Sequence, residues 1–136
     1  CLVASLLNPA GIRKAVFLAP PMEPGSSASL AYFAKRPGSE INPDGISRLV
    51  RADGSITLVP AEFWKERASI LPVPLYNEMA KNTELIIIQA NQDEVLKESE
   101  TVGLDSKIDV RHIDGGHNFS GPDRVALLNI LKVLLS

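Results

Sequence analysis

The chain has 136 residues, one domain's worth and enough for a sizeable core. Hydrophobic residues make up 45 % and charged residues 22 %, with a net charge of −2; no basic run is long enough to grip nucleic acid, and no apolar run reaches the ~20 residues of a membrane span. The single cysteine, Cys1, excludes an internal disulfide framework and an all-cysteine metal site.

The opening run CLVASLL (Cys1 to Leu7) predicts the end of a mostly buried helix, stopped by the breakers Pro9 and Gly11. It has no helix cap, initiator Met or signal-peptide pattern, so further residues are expected upstream of Cys1. KAVFLAP (Lys14 to Pro20) is a short β-rich run and predicts a buried strand. A stretch of low regularity follows. Beyond it, ISRLVRADGSITLVP carries Asp53-Gly54 between two strand-like halves, which predicts a hairpin with a two-residue turn. AEFWKERAS (Ala61 to Ser69) reads as a short helix with Phe63 and Trp64 as its apolar payload. LPVP (Leu71 to Pro74) reads as a stiff link, and LYNEMAKN as a second short helix with Pro74 suited to its first turn.

ELIIIQA (Glu84 to Ala90) is continuously apolar, the pattern of a central parallel strand covered on both faces. DEVLKESE predicts a polar-faced helix, and KIDVRHI (Lys107 to Ile113) the next strand. SGPDRVALLNILKVLLS predicts a closing helix. Ser120 and Asp123 have capping-box spacing, Pro122 suits the first turn, and Arg124, Asn129 and Lys132 share one polar arc, so the helix should lie flat on a sheet. Alternating strands and helices imply an α/β chain with a mostly parallel sheet. Three strong strands are few for such a sheet.

In open α/β sheets ligands bind beyond the carboxyl ends of the strands. Two polar clusters fall there: NQDE, with Asp93 just after the first long strand, and DGGHNFS, with His117 just after the next. Adjacent parallel strands would bring both to one rim. A carboxylate bonded to one imidazole nitrogen fixes the tautomer and stabilises the imidazolium formed when the other takes a proton. Gly115 and Gly116 allow the tight turn that aims the ring. Either residue alone would be unremarkable, since a loop histidine is usually inert and Asp93 could simply cap a helix. At the ends of successive strands, the pair points to chemistry. Glu94 is one residue away from Asp93 and is an alternative acid. Asp105, Asp109 and Asp114 are weaker rivals, and His112 lies inside a strand. The histidines have no metal-ligand spacing with cysteine, so no zinc site is expected.

From Glu84 to Ser136 the chain resembles the C-terminal end of an α/β-hydrolase. There a buried strand ends in a small residue, two residues intervene and the triad acid follows, as in Ala-Asn-Gln-Asp here, where the family more often has Gly at the Ala90 position. A helix, a strand, a Gly-rich loop bearing the triad histidine (here Asp-Gly-Gly-His-Asn-Phe) and a long closing helix complete it. The order Asp93 before His117 is the family's order. CLVASLLNPAGIRKAVFLAPP is similar to the helix after the nucleophile elbow and the strand that follows. Residues 21–82 fall where these enzymes carry a lid, and the hairpin and AEFWKE helix are similar to those of small esterases and acylglycerol lipases. No G-x-S-x-G occurs in the 136 residues. Ser26, Ser27 and Ser29 follow no strand-turn-helix pattern, and Cys1 lies on the wrong side of the elbow position.

The resemblance implies a partial α/β-hydrolase fold, three-layered with a mostly parallel sheet, forming the C-terminal part of a single domain (1–136) with 21–82 as a lid. It implies a serine hydrolase of carboxylesterase type, acting on a small-molecule ester or acyl substrate, with Asp93 and His117 as catalytic residues and no metal or organic cofactor. The nucleophile, Ser or in some relatives Cys or Asp, would lie upstream, leaving the 136 residues inactive alone. The expected compartment is the cytoplasm. The contrasting expectation is a non-catalytic α/β domain that binds a ligand or partner, with a homodimer formed through the free edge of KAVFLAP.

Overall fold

The computed structural model describes residues 1–8, 10–25, 27–96 and 101–134. The chain divides into two compact units, one of residues 1–22 with 72–136 and the other of residues 23–71. Of the residues 21–82 expected as a lid, 23–71 stand as their own unit, and 21–22 and 72–82 group with the parallel sheet.

The first unit is built on that sheet. β1 (Lys14–Leu18), β4 (Glu84–Ala90) and β5 (Asp109–Ile113) run parallel in the order β1-β4-β5. β4 takes the centre because its apolar residues point both ways: Leu85, Ile86, Ile87 and Ile88 are each at most 1 % exposed. Ile86, Ile88 and Ala90 pack with Phe119 and with Leu127 and Leu134 of α5 (Pro122–Leu134). On the other face, Leu85 and Ile87 pack with Phe17 and with Tyr76 and Met79 of α4 (Pro72–Met79), against which α1 (Leu2–Leu7) lies. Helices therefore cover both faces of a mixed α/β unit. Tyr76, fully buried, donates its hydroxyl to the Pro21 carbonyl at 2.8 Å.

Several elements differ from expectation. α1 is not mostly buried: Ser5 faces inward, whereas Val3, Leu6 and Leu7 face outward. A helix that is apolar all round carries no sign of which arc a neighbour will cover, and here α4 covers only one. α4 begins at Pro72 and absorbs the expected link. Both prolines fit because amides in a helix's first turn have no intrahelical acceptor. β5 starts at Asp109 rather than Lys107, because the Asp105 carboxylate accepts the Lys107 amide at 2.9 Å and closes a turn there. Of the expected helix over 93–100, residues 94–96 form a turn and 97–100 lie outside the described residues, as does Pro9.

In the second unit, β2 (Ser47–Val50) and β3 (Ile56–Val59) pair antiparallel, flanked in sequence by α2 (Ser27–Ala34) and α3 (Ala61–Ser69). α2 falls within the stretch expected to be irregular. The hairpin forms, with a different turn. Arg51 N–H bonds Ser55 O at 2.8 Å and Gly54 N–H bonds Arg51 O at 3.1 Å, which makes a three-residue loop over 52–54. Gly54 takes φ +82°, the left-handed position that such a loop requires at its third residue. Leu49, Val59 and Trp64 form the core of this unit, with Leu30, Phe33 and Ile41 against it.

Candidate functional site

β4 and β5 are hydrogen-bonded neighbours, with Ala90 opposite Ile113, so the loops after them leave the sheet side by side. Main-chain bonds continue the pairing past the strands: Asn91 N–H to Ile113 O at 2.9 Å and Gln92 N–H to Gly115 O at 3.0 Å. Asn91 also donates from its side chain to the Asp114 carboxylate at 2.6 Å. Asp93 and His117, 24 residues apart, meet on this double loop.

The Asp93 side chain is 6 % exposed and both its oxygens are engaged. Oδ1 accepts the amides of Val95 and Leu96, each at 2.8 Å, in the manner of a helix cap. Oδ2 lies 2.8 Å from Nδ1 of His117. The capping role and the imidazole-orienting role are therefore not alternatives, since one carboxylate does both. A carboxylate can only accept, so in the neutral imidazole the proton belongs on Nδ1 and the lone pair on Nε2. His117 is 28 % exposed, and Nε2 has no hydrogen-bond partner among the described residues.

Three further groups hold the histidine loop. The Glu94 carboxylate accepts the His117 backbone amide at 3.0 Å, so Glu94 holds the main chain while Asp93 takes the ring. Phe119 is buried at 3 % exposure with φ +45°, and its amide bonds Gly116 O at 3.0 Å, which pins the loop to the core under α5. Asp123 points its Oδ2 toward the Gly116 amide, at 3.4 Å, in place of the expected capping box with Ser120. This packing explains Gly115: a Cβ there would lie 2.5 Å from the Asp123 carboxylate carbon.

The rival acids have local partners of their own. Asp105 closes the turn before β5, Asp109 pairs with Arg111 at 2.7 Å and Asp114 takes Asn91. His112 is exposed on β5, and Cys1 is an exposed free thiol. Sequence reasoning missed the parts of Glu94 and Asp123 in holding the loop. In the sequence Glu94 reads as an alternative acid beside Asp93, and Asp123 as part of a capping box. Among the described residues no cluster of His, Cys, Asp or Glu could hold a metal, and no helix is long and apolar enough to cross a membrane.

The pair can do one thing well. A buried carboxylate fixes the tautomer of a partly exposed imidazole, whose free nitrogen can take a proton from a nucleophile and return it to a leaving group. Neither family models nor curated protein sequences give a match to the chain.

Proposed function

We propose that the chain carries the acid and the histidine of an α/β-hydrolase triad and serves the hydrolysis of a carboxylic ester or similar acyl substrate. The observation that carries this reading is the 2.8 Å contact of Asp93 Oδ2 with His117 Nδ1 at the carboxyl rim of adjacent parallel strands, with Oδ1 locked by two amides. In the reaction, Nε2 of His117 takes the proton of the attacking hydroxyl as the oxygen–carbon bond forms. It then delivers that proton to the departing alcohol. Water, activated by the same nitrogen, cleaves the acyl intermediate. Asp93 stays ionised throughout and stabilises the transient imidazolium.

The sequence holds no glycine-flanked G-x-S-x-G, so the reading needs a nucleophile from outside the 136 residues. Two results test it. The coding sequence ahead of Cys1 should specify a glycine-flanked Ser, Cys or Asp. The 136-residue chain, given a nitrophenyl acetate, should hydrolyse it no faster than free imidazole. A burst of one equivalent with a labelled Ser inside residues 1–136 would overturn the assignment of the nucleophile.

A second reading, a partner-binding α/β domain, draws on a specific feature. β1 is an edge strand whose one partner among the described residues is β4, and Val3, Leu6 and Leu7 of α1 face outward. Under this reading the coding sequence ahead of Cys1 specifies no such nucleophile, and the edge pairs with another chain.

A further inference from the structure

His117 stands on a rim whose charge is one-sided. Asp93, Glu94 and Asp114 lie in the loops after β4 and β5, and Asp123 in the first turn of α5. Against these four acids, the described residues of 91–96 and 114–124 include one base, Arg124, which is exposed. The chain leaving β1 on the same rim, Leu18 to Met22, carries no charged residue.

The partners of these carboxylates do not cancel their charge. Glu94 Oε2 accepts the His117 amide at 3.0 Å, Asp123 Oδ2 faces the Gly116 amide at 3.4 Å, and Asp114 accepts the Asn91 side-chain amide at 2.6 Å. Each donor is a neutral dipole, which satisfies an oxygen and leaves the negative charge in place. Asp93 faces a cation only while His117 is protonated. Glu94 and Asp123 thus set two charges against the backbone of His117 and its neighbour. His117 is 28 % exposed and its Nε2 has no partner among the described residues, so their field acts on whatever approaches that nitrogen.

We propose that Glu94 and Asp123 make the site selective by charge: it takes an ester with no anionic group near the scissile bond and rejects one that carries a carboxylate or phosphate there. The inference rests on the reading of His117 Nε2 as the working nitrogen and names the class of substrate that nitrogen serves. The two carboxylates touch no reacting atom. They determine specificity through charge, in addition to holding the loop.

The chain supplies its own comparison, since His112 and His117 are its two histidines. His112 is exposed on β5 beside Arg111, whose charge Asp109 balances at 2.7 Å. The 136-residue chain is alkylated with iodoacetamide, which is neutral, or iodoacetate, which is anionic; an imidazole nitrogen displaces iodide from either. Peptide mapping separates the products at His112, His117 and Cys1. At about 0.02 M salt His117 should prefer iodoacetamide by at least about threefold more than His112 does, and at about 1 M, where charge reaches only about 3 Å, the two preferences should converge. Glu94→Gln keeps an oxygen for the His117 amide and removes the charge, and Asp123→Asn does the same at Gly116; each should lower the preference. A preference equal to that of His112 at low salt, or one unmoved by salt, overturns the proposal and leaves the ester reading standing. So does the parental preference in both variants. No alkylation of His117 by either reagent, with His112 reacting, overturns the ester reading and this proposal with it. The salt comparison is made on the parent chain, so it decides even where a variant fails to fold.

Discussion

Asp93 is where one side chain has two separable tasks, and a substitution can divide them. Asparagine keeps an oxygen for the amides of Val95 and Leu96 but offers Nδ1 of His117 a neutral group in place of the carboxylate. Asp93→Asn should keep the fold and release the ring, so that nitrogen NMR of the neutral imidazole shifts from the Nδ1–H tautomer toward a mixture. Asp93→Ala should in addition lose the cap, at a cost of about 0.5–2 kcal/mol in denaturant unfolding. Equal tautomer populations in parent and Asp93→Asn would mean that the carboxylate does not orient the ring. Gly115 is similarly specific. A Cβ there meets the Asp123 carboxylate at 2.5 Å and the Asp123 Cβ at 2.8 Å, so Gly115→Ala should destabilise by about 1–3 kcal/mol, and the double change with Asp123→Gly should recover more of it than that with Asp123→Ala. The two partners Asp93 and His117 were legible in the sequence because each follows a strand with a clear pattern. Glu94 and Asp123 were not, because their contacts are to backbone amides of a loop whose path depends on the packing of Phe119.

At the level of elements, the strands were read more closely than the helices. β4 was legible to the residue, since a run of Leu and Ile closed by polar residues admits little else. α2 was missed: SASLAYFA lacks a polar face of helical period and follows Pro24-Gly25, so it reads as coil. The hairpin is legible but its loop length is not, because Asp-Gly also serves a three-residue loop with glycine third. Gly54→Val should place a β-branched side chain at φ +82° and destabilise the 23–71 unit by about 1–2 kcal/mol, leaving amide exchange in β1, β4 and β5 unchanged. Asp53 adds a pH dependence. The Ser55 hydroxyl and then the Ser55 amide, bonded to its carboxylate, hold it below the usual aspartate range, with a smaller contribution from the Arg51 charge. A group lowered in the folded state stabilises above its unfolded value and loses that contribution as pH falls through the lowered one. Amide protection of Ser55 should therefore fall only at the acid end, and Asp53→Asn should remove that acid-limb change.

For the whole molecule, the notable surface is the apolar one. β1 has no neighbour on its outer side among the described residues. Val3, Leu6 and Leu7 on α1 are exposed, and so are Val125, Leu128 and Val133 on α5. An edge strand with apolar residues nearby favours association, so light scattering on the purified chain should show mass rising with concentration. A concentration-independent monomer that unfolds cooperatively would favour a self-sufficient binding domain. Yet the claim on which the functional reading turns is that Asp93 and His117 work as a pair on an acyl substrate. The direct measurement is nitrophenyl acetate hydrolysis by the protein translated with the segment encoded ahead of Cys1, compared with Asp93→Asn and His117→Ala. We expect turnover in the parent, with losses in kcat of roughly 10⁴-fold for Asp93→Asn and about 10⁶-fold for His117→Ala. Hydrolysis at the parental rate by His117→Ala would contradict it.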